Sequence, residues 1–199
     1  MPEIKICGFT REIEIDRANE TLPDYVGFVF APSRRQVTPE RAASLRARLD
    51  ARILPVGVFT NADAGEIVRL FDAGVIALAQ LHGGEDARYI ARLKALRGVP
   101  VIQAIRAGTS DEPAAAADYL LFDARRGGGG ETFDWRAIPQ TEKPWFLAGG
   151  LFAANLADAL ELRPFAVDVS SGAETDGVKD SMKMRALIKT ARNYGRSDV

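Results

Sequence analysis

Val75-Ile-Ala-Leu-Ala-Gln-Leu81, Asp86-Ala-Arg-Tyr-Ile-Ala-Arg-Leu-Lys-Ala-Leu96 and Val99-Pro-Val-Ile-Gln-Ala-Ile105 follow one another with only short gaps between them. The outer two are short, mostly apolar runs that suit strands. In the middle one, Tyr89, Ile90, Leu93 and Leu96 recur at the three- and four-residue spacing of a helix with one buried stripe. The unit therefore reads strand, helix, strand. Its apolar runs are nearly continuous rather than alternating, as expected of parallel strands covered on both faces.

The same alternation extends in both directions. Strands are expected over residues 3–7, 25–30, 53–59, 75–81, 99–105, 119–122, 145–148 and 166–169. Helices are expected over 11–20, 39–49, 62–73, 86–96, 154–162 and 180–194. Ahead of the second helix, Thr38-Pro-Glu40 puts a capping hydroxyl before a proline at the first helical position. Two connections are meagre. Residues 108–117 hold Asp111-Glu-Pro113 and a run of alanines, enough for a turn or two of helix. Residues 127–139 open on Gly127-Gly-Gly-Gly130 and leave room for a short helix around 133–138. Eight strand signals with mostly helical crossovers favour an α/β fold: one (β/α)₈ TIM-barrel domain over residues 1–199, with a reduced helix after strand five. An open doubly wound sheet is the competing arrangement. No linker divides the chain, and no short fixed repeat suggests a solenoid.

Bulk properties narrow the function classes. At 27% charged residues and a formal net charge of -1, the chain has no basic surplus for nucleic acid or an anionic membrane. Its apolar stretches are too short to span a bilayer, and Met1-Pro-Glu-Ile-Lys5 carries no secretory pattern. One cysteine excludes an internal disulfide framework. A cytoplasmic enzyme fits these limits.

In such a barrel the chemistry belongs at the C-terminal ends of the strands. Cys7 ends the first strand, Arg35 follows the second, His82 ends the fourth and Asp123 the sixth. Leu147-Ala-Gly-Gly-Leu151 and Asp168-Val-Ser-Ser-Gly172 close the seventh and eighth. Small residues there expose backbone N–H groups, and phosphate sites of this fold are commonly built after those two strands. Gly149, Gly150, Ser171 and Gly172 are thus phosphate candidates, although ordinary helix-entry turns would use the same residues. Cys7 is a candidate base if nearby positive charge lowers its pKa; otherwise it is a small buried hydrophobe. Asp123 leaves an apolar strand and could act as an acid, or simply cap its loop. Arg35 suits a carboxylate, with Arg34 the competing choice. His82 is the one histidine, and a lone histidine is more often a hydrogen-bonded structural group than a ligand; no cluster of ligating residues marks a metal site. The Gly127–Gly130 run lacks the Lys and Ser/Thr of a nucleotide-binding loop.

At these residues the chain resembles the phosphoribosylanthranilate isomerase family. The resemblance lies in Lys5-Ile-Cys-Gly-Phe-Thr10, Gly27-Phe-Val-Phe30 with Ser33 and Arg35, Gly57-Val-Phe59 with Asn61, and Gln80-Leu-His-Gly83. It continues through Asp123 and the glycine-rich loop, Phe133-Asp-Trp135, Leu147–Leu151, Asp168-Val-Ser-Ser-Gly-Ala-Glu174 and Gly177-Val-Lys-Asp180, and so covers nearly the whole chain.

The resemblance implies an Amadori rearrangement of a phosphorylated aminosugar in tryptophan biosynthesis, with Cys7 as general base and Asp123 as general acid. It implies Arg35 at the substrate carboxylate and His82 and Asp168 in binding or support. Gly149, Gly150, Ser171 and Gly172 would lie at the phosphate. The substrate's own iminium serves as electron sink, so neither cofactor nor metal is required, and a monomer or homodimer is expected. Gly129 stands where the family commonly has Thr, and Arg34 where Pro is frequent. A related aminoaldose isomerase of histidine biosynthesis would place an aspartate where this chain has Cys7. A non-catalytic phosphate-binding barrel would not need the Cys7–Asp123 pair.

Overall fold

The computed structural model describes residues 1–106, 113–123, 135 and 138–194. Eight parallel strands close on themselves in sequence order: β1 (Glu3–Cys7), β2 (Tyr25–Val29), β3 (Leu54–Phe59), β4 (Leu78–Leu81), β5 (Val101–Arg106), β6 (Tyr119–Asp123), β7 (Trp145–Ala148) and β8 (Ala166–Val169). Closure is made by β1 lying against β8, with Lys5 beside Asp168 and Ile6 beside Val169. That pairing excludes the open sheet.

The near-continuous apolar strands feed two cores, because successive side chains of a strand take opposite faces. On β1, Ile4 and Ile6 belong to the large core between barrel and helices. A smaller cluster of Tyr25, Val56, Leu78, Ile102, Leu121 and Phe146 fills the interior. At its N-terminal end Phe146 meets Tyr25 and Tyr119 edge-on, at centroid distances of 5.6 and 5.7 Å, a favoured aromatic arrangement. The bottom of the barrel is thus plugged with apolar rings, which leaves the opposite end for chemistry.

Outside lie α1 (Glu12–Thr21), α2 (Pro39–Arg48), α3 (Ala64–Asp72), α4 (Ala87–Arg97), α5 (Leu156–Leu160) and α6 (Ser181–Asn193). The starts of α2, α3, α4 and α6 are fixed by side-chain oxygens that accept otherwise unpaired amide hydrogens. Thr38 accepts from Arg41 N at 3.1 Å, and Asp86 from Tyr89 N at 2.8 Å. Asp63 and Asp180 cap α3 and α6 in the same way. No helix among the described residues is long and apolar enough to cross a membrane.

Several boundaries differ from the sequence reading. Val75 and Ile76 are buried but precede β4, because their amides turn back to the Leu70 carbonyl beyond Gly74 at φ 68°. β5 starts at Val101, after Pro100, which has no N–H to give a ladder. The expected helix over 154–162 shrinks to α5. Leu96, read as part of the buried stripe of α4, is 51% exposed. At 100° per residue it lies about 120° round the helix from fully buried Ile90 and about 20° from half-buried Tyr89, at the edge of the stripe. After β5, residues 113–118 form a turn and no helix. The rest of that connection, the Gly127–Gly130 loop including Gly129, and Phe133-Asp134 lie outside the described residues.

One element has no counterpart in the sequence reading. After β8 and a single 3₁₀ turn at Ser171–Ala173, β9 (Glu174–Thr175) and β10 (Val178–Lys179) form an antiparallel hairpin. Asp176 (φ 51°) and Gly177 (φ 75°) turn it, both in the left-handed region that two-residue hairpin loops require.

Candidate active site

Cys7 ends β1 and faces the barrel axis, two residues beyond Lys5 on the same face. Its neighbour in register on β2 is Gly27, where a Cβ would lie 2.6 Å from the Cys7 sulfur. The glycine is therefore the slot in which the thiol fits. Burial pushes the thiol above its ordinary pKa and Asp168 adds to that, while Lys5 and Lys179 pull the other way. The positive charge anticipated from the sequence is present, but burial outweighs it.

Beneath the thiol sits a layer of buried charge. Lys5 is fully buried and its Nζ lies 2.7 Å from Asp168 Oδ2. The other oxygen of Asp168, Oδ1, is buried without a hydrogen-bond partner. Lys179, also fully buried, donates to Glu174 Oε1 at 2.6 Å and to the Ser170 carbonyl at 3.1 Å. Glu174 in turn accepts from Arg35 at two points, Nε to Oε1 at 2.7 Å and Nη2 to Oε2 at 2.9 Å. Arg34 reaches the same carboxylate at 2.9 Å with a side chain 63% exposed, whereas that of Arg35 is 20% exposed. Between the two arginines, Arg35 is the one that lines the cleft.

The cleft opens at the C-terminal ends of the strands and has a volume of about 320 Å³. Cys7, Arg35, His82, Asp123 and Asp168 all line it, with Gly149, Gly150 and Ser171 along one wall. Gly172 stands behind that wall, where a Cβ would fall 2.0 Å from the Leu151 carbonyl oxygen, so its bareness lets the loops after β7 and β8 touch. Among the described residues, the amides of Gly150, Ser171 and Gly172 find no protein acceptor. Unpaired N–H groups on small residues form a cradle suited to an anion.

Across the cleft, His82 Nε2 lies 3.5 Å from Asp123 Oδ2, and its Nδ1 is 3.3 Å from Gln80 Nε2. Gln80 Oε1 is the second buried acceptor on the cleft without a partner. Asp123 ends β6 with a side chain 17% exposed. Its strand stands three places from β1 round the closed barrel, so thiol and carboxyl reach the cleft from well-separated directions. No group of three or more His, Cys, Asp or Glu among the described residues is placed to hold a metal.

All the site candidates except Gly172 line one cleft, and Gly172 supports its wall. The sequence reading gave no part to Lys5, Gln80, Glu174 or Lys179. A lysine inside an apolar strand, two residues from a cysteine, was the available signal for Lys5. For Glu174 and Lys179 it was the Asp176-Gly177 turn between them.

Comparisons with known proteins bear on the family and the fold. The family model described as N-(5'phosphoribosyl)anthranilate (PRA) isomerase matches residues 4–190. The chain is 45% identical to an N-(5'-phosphoribosyl)anthranilate isomerase of Endomicrobium trichonymphae, over 97% of this chain and all of that one. Among solved structures it is similar to phosphoribosyl anthranilate isomerase from Thermus thermophilus, with a TM-score of 0.83 and 34% identity over 96% of this chain and 98% of that one. It is also similar to a phosphoribosyl anthranilate isomerase in complex with reduced 1-(o-carboxyphenylamino)-1-deoxyribulose 5-phosphate, with a TM-score of 0.78 and 31% identity over 97% of this chain and 100% of that one.

Proposed function

The chain belongs to the N-(5'-phosphoribosyl)anthranilate isomerase family, and on that premise we propose that it performs the family's Amadori rearrangement with Cys7 as general base and Asp123 as general acid. The reaction converts N-(5'-phosphoribosyl)anthranilate to 1-(2-carboxyphenylamino)-1-deoxyribulose 5-phosphate, a step of tryptophan biosynthesis.

Asp123 protonates the ring oxygen of the ribose, and the C1–O bond breaks as the anilino nitrogen donates its lone pair. The product is an open-chain iminium ion. Its positive charge acidifies the C2 proton, which the Cys7 thiolate removes. The C–H electron pair becomes the C1=C2 bond, the C=N π pair returns to nitrogen, and the resulting enolamine tautomerises to the ketone. A thiolate beside a developing cation is favoured electrostatically, which offsets the burial that otherwise keeps the thiol protonated.

The observation that carries this reading is that Cys7 and Asp123 open onto one cleft from strands three places apart, with a backbone anion cradle along one wall. A substrate whose phosphate rests against Gly149, Gly150 and Ser171, beside Gly172, would have its ribose between the two groups. Arg35 faces its carboxylate: Nε and Nη2 are held by Glu174, and Nη1 has no partner among the described residues. His82 and Asp168 line the remaining walls, where the unpaired oxygen of Asp168 suits a substrate hydroxyl. The same reading takes residues 1–199 as one barrel domain, acting in the cytoplasm as a monomer or homodimer.

The test is direct. Purified protein stripped of metal ions should consume freshly made N-(5'-phosphoribosyl)anthranilate, seen as loss of the substrate's fluorescence. Fluorescence that decays no faster than in buffer would overturn the assignment.

A further inference from the structure

The mechanism above uses the thiol of Cys7 but leaves the buried cation beneath it without a task. Lys5 is fully buried inside the barrel, a location that disfavours a charged ammonium strongly unless it is paired. It is paired. Asp168 Oδ2 lies 2.7 Å from its Nζ, contributed by the neighbouring strand at the adjacent register position. On its own strand, the Cys7 thiol lies two residues further along the same inward face, near enough for the ammonium's charge to favour the thiolate. Lys5 thus holds a carboxylate-anchored charge on the face that the sulfur shares.

We propose that Lys5 is a positioning residue for the isomerisation: its buried ammonium, held by Asp168, orients the Cys7 sulfur and stabilises the thiolate that takes the C2 proton. The inference rests on the reading of Cys7 as base.

The charged groups around the thiol favour Lys5 over the other cation. From β1 comes Lys5, from β8 Asp168, and from β10 Lys179, with Glu174 of β9 and Arg35 behind Lys179; His82 and Asp123 stand on the same cleft. For Lys5, burial opposes the charge, but Asp168 and Cys7 more than offset it and hold the ammonium firmly. For Lys179 burial outweighs the pull of Glu174 and Arg35 adds to it, and its ammonium is already committed to Glu174 Oε1 and the Ser170 carbonyl at 2.6 and 3.1 Å. Asp168 disfavours the thiolate directly, so its useful effect passes through Lys5.

Cys7 is the only cysteine, so the ultraviolet absorbance of thiolate reports on it alone. Lys5→Met, which keeps length and apolar bulk, should raise the thiol's titration midpoint by ~1–3 pH units, the usual effect of removing a nearby opposite charge. The alkaline-rising limb of kcat/KM should move by the same amount, with KM changed little. Since the single variant leaves Asp168 buried and unpaired, Lys5→Met/Asp168→Asn provides a second, charge-neutral test of the midpoint in folded protein. It too should titrate above the wild type. A midpoint unmoved in the folded variants would overturn the role of Lys5. A midpoint that moves while the rate limb stays fixed would instead remove Cys7 as the base, and with it the reason for Lys5.

Discussion

Arg35 and Glu174 meet through a two-point contact, Nε to Oε1 at 2.7 Å and Nη2 to Oε2 at 2.9 Å, although 139 positions separate them in the chain. The pairing fixes the plane of the guanidinium at the mouth of the cleft and joins the loop after β2 to the hairpin after β8. Arg34 uses the same carboxylate from the solvent side.

The arginines should therefore differ in effect. Arg35→Ala removes a charge-assisted contact with the substrate carboxylate, worth ~1.5–3 kcal/mol, and should raise KM by ~10–100-fold with a smaller change in kcat. Arg34→Ala should stay within about twofold, as expected of an exposed ion pair. Steady-state kinetics on both variants decides it, and a reversed order would move the carboxylate contact to Arg34.

Gly8 has φ 93°, and a Cβ there would lie 2.2 Å from Arg35 Cδ. Gly8→Ala must strain the backbone and displace Arg35 together. A loss of about 1–3 kcal/mol in unfolding free energy is expected, with KM rising as in Arg35→Ala. Denaturant unfolding and kinetics on the same sample test both halves; a stable variant with normal KM would mean that Arg35 need not lie over Gly8.

Burial tends to raise the Glu174 carboxyl, but Arg35 and Lys179 outweigh it and hold its pKa at about 2, against an ordinary 4.5. A depressed carboxylate stabilises the fold above its unfolded pKa, and the contribution is lost as pH falls from 4.5 toward 2. Glu174→Gln should lower stability at neutral pH by ~3 kcal/mol, since it leaves Lys179 buried without its counter-charge. It should also flatten the fall of melting temperature with acidification across that window. An acid limb as steep as the wild type's would show that other groups dominate it.

How much of this was legible in the sequence depends on which residues lie next to one another. Barrel closure followed from eight apolar runs, and the cleft-facing positions of Cys7, His82, Asp123 and Gly149-Gly150 from their places at strand ends. The charge layer did not follow. Lys5 touches Asp168 only because β1 closes on β8, a contact across 163 positions with no local trace. Glu174 and Lys179 belong to strands of two residues each, too short for periodicity to register. Leu96 was misplaced because the spacing puts it beside Tyr89 at the edge of the stripe, about 120° round from Ile90, where burial gives way to solvent.

The central claim is that Cys7 and Asp123 act on opposite steps of one bound ribose. Its most direct test is turnover and KM of Cys7→Ala and Asp123→Asn by loss of substrate fluorescence. Each variant should lose ~10²–10⁴-fold in kcat while KM stays near the wild-type value. Wild-type turnover in either variant would contradict the account.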